Sequence, residues 1–119
     1  MKIFKDFTFE AAHKLPLVPQ DHKCFNLHGH SFRVRVYVEG NINEMGWVMD
    51  FADIKLICKP IIDVLDHSYL NELEGLDNPT SENIAIWIWQ KLEKKLQGLS
   101  SIEVMETCKF SEACEASEA

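Results

Sequence analysis

The sequence predicts an α+β domain, and three observations carry that prediction. Residues 2–13 and 28–39 alternate apolar and polar side chains with a period of two, as half-buried strands do. Residues 50–65, and a second stretch from Thr80 or Ser81 to Gly98, place apolar residues at three- and four-residue steps, as amphipathic helices do. Residues 101–109 then return to the strand period.

Length and composition bound the rest. A chain of 119 residues is one domain with one ordinary core. That domain is expected over 1–110, with 111–119 an acidic tail or a weak last strand. Hydrophobic residues make up 46% and charged residues 26%, a globular balance. The net charge of −7 argues against a nucleic-acid partner, because phosphate binding needs a basic surface or stripe. No basic run exceeds Lys94-Lys95. A run of about 18 apolar residues and a charged-then-apolar leader are both missing, so no membrane partner and a cytoplasmic location are expected. Cys24, Cys58, Cys108 and Cys114 show no C-x2-C pairing, which suits a reduced protein with a functional thiol better than a disulfide framework.

In the first strand, Ile3, Phe7, Phe9, Ala11 and His13 share one parity, and Asp6, Thr8 and Glu10 take the other. In the second, His28 and His30 share the parity of Phe32, Val34, Val36 and Val38, opposite Ser31, Arg33, Arg35 and Glu39. Side-chain direction repeats every two residues in a strand, so both imidazoles face the core side. A lone His13 is more often a hydrogen-bonded strand end than a ligand. Its parity match with His28 and His30 reverses that preference, provided the two strands are neighbours. Three neutral imidazoles converging on one face suit a zinc site of catalytic type, with one position left open.

The intervening loop, 14–27, carries Pro16 and Pro19, which cannot donate to a ladder. It also carries His22 and Cys24. A thiol near a zinc ion and near Lys23 has reason to lose its proton. Cys24 is then either a fourth zinc ligand closing a structural site, or a base or nucleophile beside an open one, and spacing is compatible with both. His22 reads most simply as a solvated loop histidine.

Residues 40–46 are turn chemistry, and Trp47-Val48-Met49 reads as short and extended. In the first helix Asp50 is the expected N-cap, Cys58 lies on the apolar stripe as a core residue, and Pro60 is expected to bend the axis. Asp66-His67 follows. An Asp beside a His can orient the ring and stabilise its cation, one half of a nucleophile-activating unit, although adjacent side chains can equally diverge. In the second helix Trp87 lies off the stripe centre. In the last strand Glu106 shares the parity of Ile102, Val104 and Cys108. A carboxylate there costs several kcal/mol unless paired, on the order of the effective penalty for a buried ion. A ligand with N–H donors is one candidate partner.

Several motifs occur together and in order: Phe7-Thr8-Phe9-Glu10-Ala11-Ala12-His13, Cys24-x3-His28-Gly29-His30, Leu65-Asp66-His67-x-x-Leu70-Asn71, Pro79-Thr80-Ser81-Glu82-Asn83 and Glu106-Thr107. Each alone is weak, but the ordered set is specific. Over residues 3–110 the chain resembles the 6-pyruvoyl-tetrahydropterin synthase superfamily. It is most similar to the bacterial-type branch, the 6-carboxy-5,6,7,8-tetrahydropterin synthases of the queuosine pathway, because three residues separate Cys24 from His28 where the pyruvoyl-forming animal enzymes carry a longer spacer.

The resemblance implies a tunnelling fold: an antiparallel sheet with two helices packed on one face, subunits joined edge to edge into a trimeric barrel, and two barrels stacked into a homo-hexamer. A last strand is expected near 110–116. The resemblance implies Zn2+ on His13, His28 and His30, Cys24 as base, and Asp66 with His67 as its activating pair, contributed across a subunit boundary. It implies that Glu106 anchors the amino-pyrimidine of a pterin, with Thr80 nearby. The implied substrate is 7,8-dihydroneopterin triphosphate, cleaved to a 6-carboxy-tetrahydropterin, acetaldehyde and triphosphate. Lys14, Lys23, Arg33, Arg35 and Lys109 are candidates for the triphosphate. A pyruvoyl-forming or other side-chain-cleaving pterin lyase is the alternative on the same residues, and a non-catalytic zinc-stabilised domain is a third reading.

Overall fold

A computed structural model of the chain describes residues 1–106 and the strand 113–116. Its frame is a long hairpin of β1 (Lys2–His13) and β2 (His28–Glu39), followed by α1 (Phe51–Leu65), β3 (Ser68–Tyr69), α2 (Ser81–Leu92), β4 (Leu99–Glu106) and β5 (Ala113–Ala116). The strands form one sheet in the order β3-β1-β2-β4-β5. β1–β2, β2–β4 and β4–β5 pair antiparallel, and β3 runs parallel to β1, so the sheet is mixed where a purely antiparallel one was expected. Two residues are too few to carry a period, and β3 therefore leaves no pattern in the sequence.

The predicted parities hold along the hairpin. Phe9 on β1 stacks on Phe32 of β2, with ring centroids 4.8 Å apart. Val34, Val36, Ile102 and Val104 continue the same face and are fully buried. α1 lies against β1 and α2 against β4. Their stripes, among them Ile54, Cys58, Leu65, Ile84, Ile88 and Leu92, close the core with those strands. Each such side chain contributes about 1.5–3 kcal/mol on burial. Burial also pushes the Cys58 thiol up to about 12, as befits an inert core cysteine. The opposite sheet face is polar. There Arg35 donates to both Asp6 oxygens at 2.8 and 3.0 Å and lies 4.1 Å over the Phe4 ring, while Tyr37 donates to Glu103 at 2.9 Å.

The helix starts are as expected. Asp50 accepts from the Ala52 amide and Thr80 from the Asn83 amide. α1 is assigned without interruption through Pro60, which sits on the exposed side. Two local readings need correcting. Residues 47–49 are bends, and Trp47 is largely exposed. α2 stops at Leu92, and Gly98 serves the turn into β4: it adopts φ +85°, and a Cβ there would lie 2.8 Å from the Glu39 carbonyl oxygen. Trp87, off the stripe centre, flanks the core as the sequence allows, its indole donating to the Glu74 carbonyl. β4 starts at Leu99 and its assigned span ends at Glu106. Residues 107–109, with Cys108 and Lys109, lie outside the described residues.

Candidate active site

The register of the hairpin builds the centre of the site. His13 pairs with His28 and Ala11 with His30, so three imidazoles meet at one end of the core face. Their ring centroids lie 4.5, 5.2 and 4.7 Å apart. His13 Nδ1 lies 2.8 Å from the Pro79 carbonyl and His28 Nδ1 lies 2.7 Å from the Asn26 carbonyl. A carbonyl can only accept, so both rings carry their proton at Nδ1 and present a lone pair at Nε2.

Those two Nε2 atoms and His30 Nδ1 are buried with no hydrogen-bond partner. An orphaned buried polar atom costs about 1–3 kcal/mol. Three of them, on histidines whose ligand atoms all lie within 4.8 Å of one another, are a donor set that could hold a metal ion. Burial lowers the pKa of His13 and of His30 below 6.5, outweighing the opposing pull of the Pro79 carbonyl on His13 and of Glu106 on His30. Burial thus favours the neutral rings, the state a metal requires. Two of the three have a carbonyl behind the ring, the usual support of a metal-binding histidine. This donor set fits zinc with an open position. Cys24 is not part of the cluster, which among the described residues consists of the three histidines alone. The closed four-ligand arrangement therefore has no support in this geometry.

Glu106 lies opposite Phe32 in the register, on the same face. Ser81 donates to its Oε1 at 2.8 Å, and its Oε2 lies 4.0 Å from His30 Nε2. One carboxylate oxygen is thus held while the other faces the histidines. Thr80 is not hydrogen-bonded to Glu106. Its hydroxyl caps α2, between Pro79, which holds His13, and Ser81, which holds Glu106. Sequence reasoning missed Ser81 as a contact, along with Asn26 and Asn71. Asn71 exchanges hydrogen bonds with the Lys14 amide and carbonyl and so clamps the chain where it leaves His13. The Pro-Thr-Ser-Glu-Asn motif was the available signal for Ser81. The Leu-Asp-His-x-x-Leu-Asn motif was the signal for Asn71, and nothing local marks Asn26.

Cys24 is a half-buried free thiol in a 3₁₀ turn, Lys23–Phe25. Asp66 and His67 sit at the end of α1 and are tied to the edge of β1. The Glu10 amide donates to Asp66 Oδ1 at 2.9 Å, and the His67 amide donates to the Glu10 carbonyl at 2.6 Å. Asp66 Oδ2 lies 3.0 Å from His67 Nδ1, a contact made from a positive φ of 57° at His67. The Glu10 amide, and after it His67, hold the Asp66 carboxyl below its ordinary range. The His67 side chain is 79% exposed and lines a cleft of about 570 Å³ with Glu10, Gly29, His30 and Ser31. Within the protomer neither Asp66 nor His67 is hydrogen-bonded to Cys24.

Known proteins resemble this chain over most of its length. The family model described as 6-pyruvoyl tetrahydropterin synthase matches residues 2–117. A 6-carboxy-5,6,7,8-tetrahydropterin synthase of Synechocystis sp. is 51% identical over 113 residues, covering 89% of this chain and 86% of that protein. A dihydroneopterin monophosphate aldolase of Pyrococcus furiosus is 42% identical over 91 residues, covering 76% of this chain and 74% of that protein. The structure of Caenorhabditis elegans 6-pyruvoyl tetrahydropterin synthase superposes with a TM-score of 0.88 at 26% identity, covering 100% of this chain and 96% of that one. With its histidine cluster formed, its motifs in order and its whole length matched, this chain belongs to the 6-pyruvoyl tetrahydropterin synthase family.

Proposed function

We propose that the protein is a zinc-dependent lyase converting 7,8-dihydroneopterin triphosphate to 6-carboxy-5,6,7,8-tetrahydropterin, acetaldehyde and triphosphate, a step of queuosine biosynthesis. The observation that carries this reading is the pairing of three unpartnered imidazole nitrogens with a carboxylate, Glu106, fixed by Ser81 and with its other oxygen 4.0 Å from His30 Nε2. The likeness to the Synechocystis protein supports the choice of product.

His13, His28 and His30 would hold the zinc, which when bound supplies Lewis-acid polarisation of the substrate's side-chain oxygens. The Pro79 and Asn26 carbonyls keep two of those rings in the tautomer that binds. Glu106 accepts the N–H groups of the amino-pyrimidine, and Ser81 keeps its carboxylate from turning away. Thr80 supports this end by fixing the first turn of α2. Cys24 acts as the base at the side-chain carbon, for which a tuned group contributes on the order of 10²–10⁴-fold. Asp66 orients the His67 ring, and this pair activates the thiol. An imidazole this exposed, and not bonded to Cys24 of its own chain, suits service to a neighbouring subunit. The trimeric barrel doubled to a hexamer is the assembly we infer. Among the basic candidates Arg35 is committed to Asp6 on the opposite face. The charge of Lys23 reaches His30, and we assign Lys23 to the triphosphate. No helix among the described residues is long and apolar enough to cross a membrane.

The aldolase of Pyrococcus furiosus supports a second reading, cleavage of a dihydroneopterin monophosphate on the same site. One experiment separates the two. Zinc-loaded protein is incubated with the triphosphate and, separately, with the monophosphate, and products are identified by mass spectrometry. A carboxylated pterin with acetaldehyde from the triphosphate is the expected result. A pterin that keeps its three side-chain carbons, or turnover of the monophosphate alone, overturns the proposal.

A further inference from the structure

We propose that His22 is the positioning residue of the Cys24 thiol, a role that rests on the proton-transfer function assigned to Cys24 above. The loop that bears Cys24 contains Pro16 and Pro19 and belongs to no ladder, so its 3₁₀ turn, Lys23–Phe25, must be held by individual contacts. Both peptide groups of Cys24 are tied down. Its carbonyl accepts from the Leu15 amide at 2.8 Å, which binds it to the segment leaving His13. Its amide donates to His22 Nδ1 at 3.0 Å. The His22 backbone is itself fixed, its amide donating to the Pro19 carbonyl at 2.9 Å and its carbonyl accepting from the Phe25 amide at 3.0 Å. His22 is exposed and lies outside the three-histidine cluster, so neither core packing nor metal binding accounts for it. Its imidazole is the side chain that holds the amide end of the turn.

The residue type is informative. Such caps are ordinarily Ser, Thr, Asp or Asn. A carboxylate two residues before a thiol that must ionise would disfavour the thiolate. A neutral imidazole offers the same acceptor with no negative charge, its proton standing on Nε2. His22 therefore fixes where the thiol sits without opposing its ionisation.

The test uses the zinc-loaded full chain with His22→Ala, His22→Asn and His22→Asp, after zinc content and melting temperature show each variant folded and loaded. Loss of the cap should speed hydrogen exchange of the Cys24 amide and lower kcat for dihydroneopterin triphosphate on the order of tenfold or more, the scale of a misplaced reacting group. KM should stay within about twofold of wild type in His22→Ala, since no substrate contact is removed. His22→Asn, which keeps a neutral acceptor, should restore most of both. His22→Asp should protect the amide but slow iodoacetamide labelling of the Cys24 peptide relative to His22→Asn. An Ala variant with unchanged exchange and unchanged kcat overturns the proposal, and so does an Asn variant as impaired as Ala. If wild type makes no pterin product while exchange and labelling follow the expected order, the lyase reading fails and the hold of His22 on the thiol stands.

Discussion

The two halves of the candidate site are secured in different ways. The ligand half, His13, His28 and His30, rides on adjacent strands whose register places each ring, and His13 is 1% exposed. The proton-transfer half, Cys24 with Asp66 and His67, rides on a one-turn helix and a helix end, and the His67 side chain is 79% exposed. A ladder fixes many dihedrals at once, so the first half is complete within one protomer. Loop-borne groups are held by a few contacts each. They gather around one substrate only if something beyond those contacts, in our reading a second subunit, brings them together.

The largest effect should come from the ligand half. His28→Ala leaves two imidazoles, and zinc affinity should fall by more than about 100-fold, because even a change behind a ligand costs on the order of 10–100-fold. Metal analysis after dialysis reads this directly, and a full equivalent of retained zinc would remove His28 from the ligand set. Next is Cys24→Ala. Zinc should stay bound while turnover drops about 10²–10⁴-fold, the worth of a general base. Loss of metal together with unfolding would instead return Cys24 to the ligand half and erase the division drawn here.

Ser81→Ala tests the carboxylate held beside the ligand half. It removes a hydrogen bond to a carboxylate, worth about 1.5–3 kcal/mol, so KM should rise about tenfold or more with kcat little changed. An unchanged KM would show that Glu106 needs no support. The smallest effect concerns the metal-free protein. Burial sets the folded-state pKa of His13 and of His30 below 6.5, so the unfolded chain binds more protons wherever they titrate. Stability is therefore full above about pH 6.5 and declines as the pH falls through the depressed values. The urea midpoint of zinc-free protein should be lower at about pH 5.5 than at about pH 7.5. A midpoint that rises on acidification would contradict the buried, neutral rings.

Much of this site was legible beforehand because strand parity is a local property. His13, His28, His30 and Glu106 each share their strand's apolar phase, and a period of two leaves no choice of face once the core side is known. The helix starts were legible for a similar reason, since Asp50 and Thr80 act on amides two and three residues ahead. Ser81 was not legible as a contact, because a first-turn serine has no pattern that points to a residue 25 positions away. Asn71 was missed on the same grounds, its partner Lys14 lying 57 positions back. β3 was invisible because two residues have no period, yet its pairing with Ala11 and Ala12 brings the residues after Asp66-His67 onto the edge of β1.

The sequence by itself determined which faces exist: two long strands with histidines on the buried side, two amphipathic helices, and a carboxylate in apolar phase. Periodicity encodes these because each depends on neighbours a few residues apart. Only the tertiary structure decided that the faces meet at one point. The hairpin register set His13 against His28, the Pro79 and Asn26 carbonyls chose the ring nitrogens, and α2 delivered Ser81 to Glu106. Two of these pairings, His13 with Pro79 and Ser81 with Glu106, join segments more than 20 residues apart in the chain, where register and packing, not local pattern, carry the information.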